Sequence, residues 1–279
     1  MVRQTISLCA LTGLLVVAGG GVSEPAATVI DKAEPVARDG VEPKANEILY
    51  RACTYLQQAK TFQFQADVTR DVILYDGVRV QYGGVSKVTV QRPNKLRAIF
   101  NGDERSRRSY FDGEILTIYS LTRNNYAQAK IPGTIDEAID HVFETFGFSV
   151  PLADLVYADP YSVLIENVNE GHFIGRHKID GVVCDHLAFQ QELIDWQIWI
   201  ETDKTPLVRK VVITYKTEEG CPEYEAVLSH WKLNPSVRDA DFEFTPPADV
   251  AKIEFLPCDE GSGEEEESQA VGAEEAEAK

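Results

Sequence analysis

Cations are scarce in this chain. Its 279 residues include 27 Lys and Arg against 45 Asp and Glu, a formal net charge of −18. A nucleic-acid-binding surface needs clustered positive charge, so this balance argues against that class. The one basic cluster, Arg105-Ser106-Arg107-Arg108, is short. It reads as a solvated turn or strand edge, or as a contact for an anionic head group. Catalytic signatures are missing too. There is no G-x-S-x-G, H-E-x-x-H, Walker loop or G-x-G-x-x-G, which excludes the chemistry those motifs carry. Histidine occurs five times, as His141, His172, His177, His186 and His230. His172 and His177 are five apart, so a regular strand would point them to opposite faces. Cys184 and His186 would share a face and suit a thiolate–imidazole pair or part of a metal site. A disulfide at Cys184 beside a hydrogen-bonded histidine is the simpler reading. The paired acids Asp136 with Glu137, and Asp239 with Asp241, fit cap and turn positions better than general acid–base work. No enzymatic activity, no metal and no cofactor is therefore expected.

Long apolar runs are also absent, with one exception. Ile6 to Ala18 is apolar, follows Arg3 and precedes the small residues Gly19 to Ser23. The run is short for a membrane span and has the pattern of a cleavable export signal, ending near Ser23 or Ala27. A periplasmic or secreted location follows. Cys9 lacks the small-residue approach of a lipoprotein cleavage site. Four cysteines then remain: Cys53, Cys184, Cys221 and Cys258. In an exported chain an even count favours disulfides, and four allow three pairings. Cys184 with Cys221 and Cys53 with Cys258 is the preferred pairing. Residues 24–45 read as a linker and 259–279 as a disordered tail. That tail holds nine acidic residues and one Lys. One domain, 46–258, lies between them.

What the chain has in abundance is alternation. Val182–Gln190, Ile194–Glu201 and Leu207–Lys216 read as three consecutive strands, with turns at Asp180-Gly181 and Asp203 to Pro206. Ile194, Trp196, Ile198 and Ile200 share a face opposite Asp195, Gln197 and Glu201, with Trp199 as the exception. Val211, Ile213 and Tyr215 oppose Lys210, Thr214 and Lys216. Such a period predicts a sheet with one wet and one apolar face. Upstream, Phe62, Phe64, Ala66 and Val68 alternate with Gln63, Gln65 and Asp67. Short turns at Asp76-Gly77, Pro93-Asn94 and Asp112-Gly113 join further strands into a meander, and Gly83-Gly84 suggests a bulge or a sharp bend. The period changes twice. Asn46–Lys60 reads as a helix. Thr134 to Glu137 is a capping box before Ile135, Ile139, Val142, Phe143 and Phe146 at helical spacing. A second helix is expected from Ser149 to about Val156, and a short third one from Asp159-Pro160. The fold class is α+β: about ten antiparallel strands in a strongly curved sheet, a half-open barrel, covered on its concave side by helices.

The segments RPNKLRA (92–98), YFDGEILTIY (110–119), FGFSVPLADLV (146–156), IDGVVCDHLAF (179–189), DWQIWIETDKTPLVRKVVITY (195–215) and FEFTPP (242–247) resemble an uncharacterised family of predicted periplasmic proteins. That family in turn resembles the Lol-type outer-membrane lipoprotein carriers and their mycobacterial lipid-carrier relatives. The resemblance spans roughly residues 46–256. It implies a half-barrel with a cavity for acyl chains, binding a lipid or a lipidated protein, or alternatively an envelope sensor or interaction module meeting a protein partner. The candidate lining is Phe62, Phe64, Leu96, Phe100, Phe143, Phe146, Trp196, Ile198, Val211 and Ile213, with the helix of Phe143 and Phe146 as a lid. The same side chains can equally pack on one another as a core. A monomer is expected.

Overall fold

The computed structural model describes residues 35, 37–147 and 150–255. The expected leader, the linker up to residue 34, Cys258 and the acidic tail lie outside the described residues. The chain forms helix α1 (Pro43–Gln57), then six strands in sequence: β1 (Thr61–Ile73), β2 (Arg79–Gln91), β3 (Lys95–Gly102), β4 (Ser106–Phe111), β5 (Ile115–Ser120) and β6 (Asn125–Lys130). Helix α2 (Ile135–Phe146), a 3-10 turn at Ala153–Leu155 and helix α3 (Pro160–Ile165) follow. Five more strands run β7 (Glu170–Ile179), β8 (Val182–Gln190), β9 (Ile194–Glu201), β10 (Val208–Tyr215) and β11 (Glu223–Leu233), before the short β12 (Ala251–Ile253).

All twelve strands form one curved, unclosed sheet in the order β12-β6-β5-β4-β3-β2-β1-β11-β10-β9-β8-β7. Two meanders are thus joined at a β1–β11 seam. After β6 the helical insertion carries the chain to the far edge, from which β7 to β11 step back to meet β1. Every pair is antiparallel except β12 with β6, so the sheet exceeds the expected ten strands by two. Its apolar face carries α1 and α2. Helix α1 starts with Pro43 in its first turn, inside the stretch read as linker. Pro43 needs no donor there and presets the helical φ. It buries Ala45, Ile48, Leu49, Ala52, Cys53 and Leu56 against β7 and β9.

Two expectations fail locally. Gly83-Gly84 makes no bulge, since β1 and β2 pair without a register shift from Thr61↔Gln91 to Ile73↔Arg79. The glycine at 84 serves a close approach instead: a Cβ there would stand 2.5 Å from the Phe100 ring. The bulge lies in β11, where two residues, His230 and Trp231, oppose Phe64 between the Gln63↔Lys232 and Gln65↔Ser229 pairs. The helix expected from Ser149 to Val156 is only the three-residue 3-10 turn.

The preferred Cys184–Cys221 disulfide is also absent; both residues are free thiols. Cys184 pairs with Glu201, at one end of β9. Cys221 sits in the β10–β11 turn, beside the end where Tyr215 meets Ile194. The seven residue steps between Ile194 and Glu201 amount to about 23 Å of strand, far beyond disulfide reach. Cys53 is buried and free as well.

Candidate functional site

The apolar face is built by pairing. One row runs Val68, Ala226, Val211, Ile198, Leu187 and Phe173 across β1, β11, β10, β9, β8 and β7. Its neighbour runs Tyr224, Ile213, Trp196 and Phe189. Under α1 this side is filled. Ile198, Leu187 and Phe189 are at most 2% exposed, and Trp196 stacks on Phe189 at 4.2 Å. Burial of large side chains at that level is what a core requires. Of the candidate lining residues, Trp196, Ile198 and Val211 therefore pack as core on this side, while Ile213 is partly buried against it. Phe62 and Phe64, in the seam strand, are buried and ring-packed with Trp231, whose indole N–H donates to the Val208 carbonyl at 2.9 Å.

The same face behaves differently across β2 to β5. Phe62, Val90, Leu96, Phe111 and Leu116 are level with one another and close one end. One step on, Val88, Ala98, Ser109 and Ile118 are level, and beyond them Ser86, Phe100, Arg107 and Ser120. None of these eight is fully buried. Leu96 and Phe100 are partly buried, and Phe100 lies flat over Gly84 and Gly102. The cluster 105–108 is split by the pleat. Arg107 shares this inner face with Phe100, whereas Arg108 opposes Ile99 on the outer one. Desolvation, with Arg105 nearby, holds the Arg107 guanidinium below its ordinary pKa.

Helix α2 starts against the β2–β3 turn, where the Ile135 N–H donates to the Pro93 carbonyl, and its buried stripe joins the hydrophobic cluster that Val88, Leu96 and Phe100 pack against. Thr134 Oγ1 accepts the Glu137 N–H and Glu137 accepts the Thr134 N–H, so the capping box forms. Gly147 ends the helix in the left-handed region and donates to the Phe143 carbonyl. Ile135, Ala138, Val142 and Phe146 are its buried stripe. Phe146 stacks near Phe255 at 4.9 Å, but Phe143 at the margin of that stripe is 48% exposed. The polar side of α2 is tied to the following segment: Asp136 accepts the Ala158 N–H and Asp140 accepts the Tyr157 hydroxyl at 2.7 Å. Arg92 reaches the Val156 and Tyr157 carbonyls. Burial raises the Asp136 carboxyl above the ordinary range, against the opposing pull of the Ala158 N–H and Arg92.

The Cys184–His186 pair does not meet. The Cys184 thiol points at the Val182 carbonyl, and burial lifts it to about 11, which leaves no thiolate at neutral pH. His186 instead stacks on Trp199 at 4.0 Å, contacts His177 at 3.1 Å and bonds Gln197 at 2.9 Å, on the outer face. Trp199, the exception to alternation, has its partner there. Among the described residues no group of three or more His, Cys, Asp or Glu side chains could hold a metal, and no helix is long and apolar enough to cross a membrane.

Sequence reasoning missed the C-terminal strap. After β11 the chain crosses the outer face, where Phe244 packs against Tyr110, Tyr119 and Tyr126 at 5.2–5.6 Å, before β12 pairs with β6. The period of Phe242-Glu243-Phe244 was the available signal.

Among solved structures the chain is similar to the lipoprotein LppX of Mycobacterium tuberculosis, with 12% identity over 71% of this chain and 98% of that one, at a TM-score of 0.44. It is similar to an uncharacterised conserved protein of Thermus thermophilus, with 12% identity over 76% and 99%, at 0.45. A LolA superfamily protein of Nitrosomonas europaea is similar at 12% identity over 72% and 97%, at 0.35. No curated protein matches. Residues 45–256 match the family described as "Predicted periplasmic protein (DUF2092)", and the chain belongs to that family of predicted periplasmic proteins.

Proposed function

We propose that the protein binds the apolar chain of a lipid or lipidated protein without catalysis, in the less filled half of its concave face under α2. The observation that carries this reading is the contrast along one face. Val88, Leu96, Ala98, Phe100 and Ile118 stay partly exposed, whereas Leu187 and Phe189 on β8 and Trp196 and Ile198 on β9 are buried. Phe143 adds a half-exposed aromatic ring on α2. Arg107, level with Phe100, supplies a cation beside the apolar strip, which suits an anionic head group. An acyl chain of ~14 methylenes gains about 11 kcal/mol on leaving water, at ~0.8 kcal/mol per CH₂. Immobilisation and displacement of the cover remove part of that. The test is uptake of a fluorescent fatty acid, with native mass spectrometry of the purified protein. Ala98→Trp, which plugs the strip between Val88 and Ser109, should abolish uptake and leave the thermal midpoint near that of the parent. A parent protein that carries no lipid and takes none up defeats the proposal.

A second reading, an envelope interaction module without cargo, draws on the β7 end of the sheet beyond the Val41–Gly171 bridge. Ile174 on β7 and Val183 on β8 are 50% and 40% exposed there. Ile174→Lys leaves fatty-acid uptake intact in either case, and loses capture of an envelope protein only in the second.

A further inference from the structure

The outer face carries a cleft of about 320 Å³ across β11, β1, β2 and β3. Its lining includes Lys87, Arg97, Lys232, Gln63, Gln65 and Thr89. Alternation puts these outward, back to back with Phe64 and Val88. The β11 bulge widens the spacing at this point and lends His230 to the rim. In a chain of net charge −18, three cations lining one cleft is the opposite of the prevailing balance. Neighbouring cations are neutralised, Lys95 by Asp239 and Lys210 by Glu225. Among the described residues Lys87, Arg97 and Lys232 have no ion-pair partner, although Arg97 lies over the Tyr110 ring at 5.7 Å and near enough to Asp241 to help lower its carboxyl pKa.

We infer that this cleft is the docking site of the chain's own acidic C-terminal segment, with Glu264–Glu267 as its centre. Two observations choose this occupant. The segment is complementary in charge, with nine acids and one Lys in residues 259–279. It is also within reach. β12 leaves the chain at the β6 edge, four strands from β2, which is about 19 Å at the usual strand spacing. The 24 residues from Leu256 onward can span up to about 80 Å when extended. A tethered segment meets the cleft at the high effective concentration of an intramolecular partner.

A water-soluble carbodiimide tests this on the full chain, since it joins a lysine amine to a carboxylate only where the two are in contact. Mass spectrometry of the monomer should show Lys87 and Lys232 coupled to glutamates within 264–267. The yield should fall at least tenfold in 1 M NaCl and in the variant with all four glutamates changed to Gln. Coupling only between two chains assigns the cleft to a second copy and overturns the inference, as does a yield indifferent to salt. Binding of phosphatidylglycerol vesicles by the parent chain that Lys87→Glu with Lys232→Glu abolishes and the four-Gln variant leaves unchanged overturns it too, in favour of a lipid head group.

Discussion

The two halves of the sheet present the same face to the same side, yet large side chains are buried more deeply on one than on the other. On the α1 side Ile198, Leu187, Phe189 and Trp196 are buried, and the helix adds Ile48, Leu49 and Leu56 to the same cluster. Under α2, the level rows read Val88, Ala98, Ser109, Ile118 and Ser86, Phe100, Arg107, Ser120. Small and polar residues there cannot fill the space that Trp196, Phe189 and Leu187 fill opposite. The covers differ in the same sense. Helix α1 is 15 residues long and braced by α3, with Tyr50 and Tyr161 edge to face at 5.0 Å and the Tyr161 hydroxyl donating to Asn46 at 2.6 Å. Helix α2 is 12 residues long and is held by its capping box, by Asp136 and Asp140, and by Phe146 against Phe255 at its end. The buried rows hold the fold, and the proposed guest belongs where the rows stay partly exposed.

The largest expected effect tests that division directly. Trp196→Ala removes a buried ring from the α1 side and should cost about 3–5 kcal/mol in denaturant unfolding. Phe100→Ala, on a partly exposed ring, should cost about 1–2 kcal/mol while lowering fatty-acid uptake at least fivefold. Equal costs for the two would mean that the halves are equally packed, and the comparison would be lost.

How much of this was legible depended on whether the cause was local. Strands β8 and β9 have the boundaries read from alternation, because turn residues flank an unbroken period of two. Helix α2 begins where Thr134 and Glu137 said it would, since a capping box acts within four residues. The glycine pair at 83–84 gave an ambiguous signal: bend and close approach both favour glycine, and only the position of Phe100 decides. The cysteines failed for a related reason, because even parity says nothing about which end of a strand each occupies. The same holds for the lining. Alternation assigns Trp196 and Phe100 alike to the apolar face, but which of them stays partly open follows from where α1 and α2 come to rest. The seam of β1 with β11, and the strap that puts Phe244 among three tyrosines, are non-local pairings between segments more than 100 residues apart.

A smaller effect sharpens the contrast between covers. Thr134→Ala removes one side of the capping box and should cost about 1 kcal/mol. The loss should be confined to the second half. Amide exchange should quicken across Ile135–Phe146 and stay unchanged across Pro43–Gln57. Faster exchange in both helices would show that the covers move as one unit.

The smallest expected effect is electrostatic, and it runs in opposite directions in the two halves. On the first, His186 faces Trp199, Gln197, His177 and Lys210. Burial, aided by the charge of His177 and Lys210, holds its pKa below the usual value, against the Gln197 bond. The folded state then binds fewer protons than the unfolded one, so stability is present above about pH 6.5 and declines as pH falls through that value. On the second, Asp136 is raised by burial, so the folded state binds more protons. Its contribution is present at low pH and is lost as pH rises from about 4 through the raised value. Denaturant midpoints followed from pH 4 to 7.5 should show both slopes. His186→Gln should flatten the change below about pH 6.5, and Asp136→Asn the change above about pH 4, each leaving the other slope in place. A single variant that removes both would mean that the outer cluster and the α2 tether are coupled through the sheet, and the two halves would then have to be treated as one titrating body.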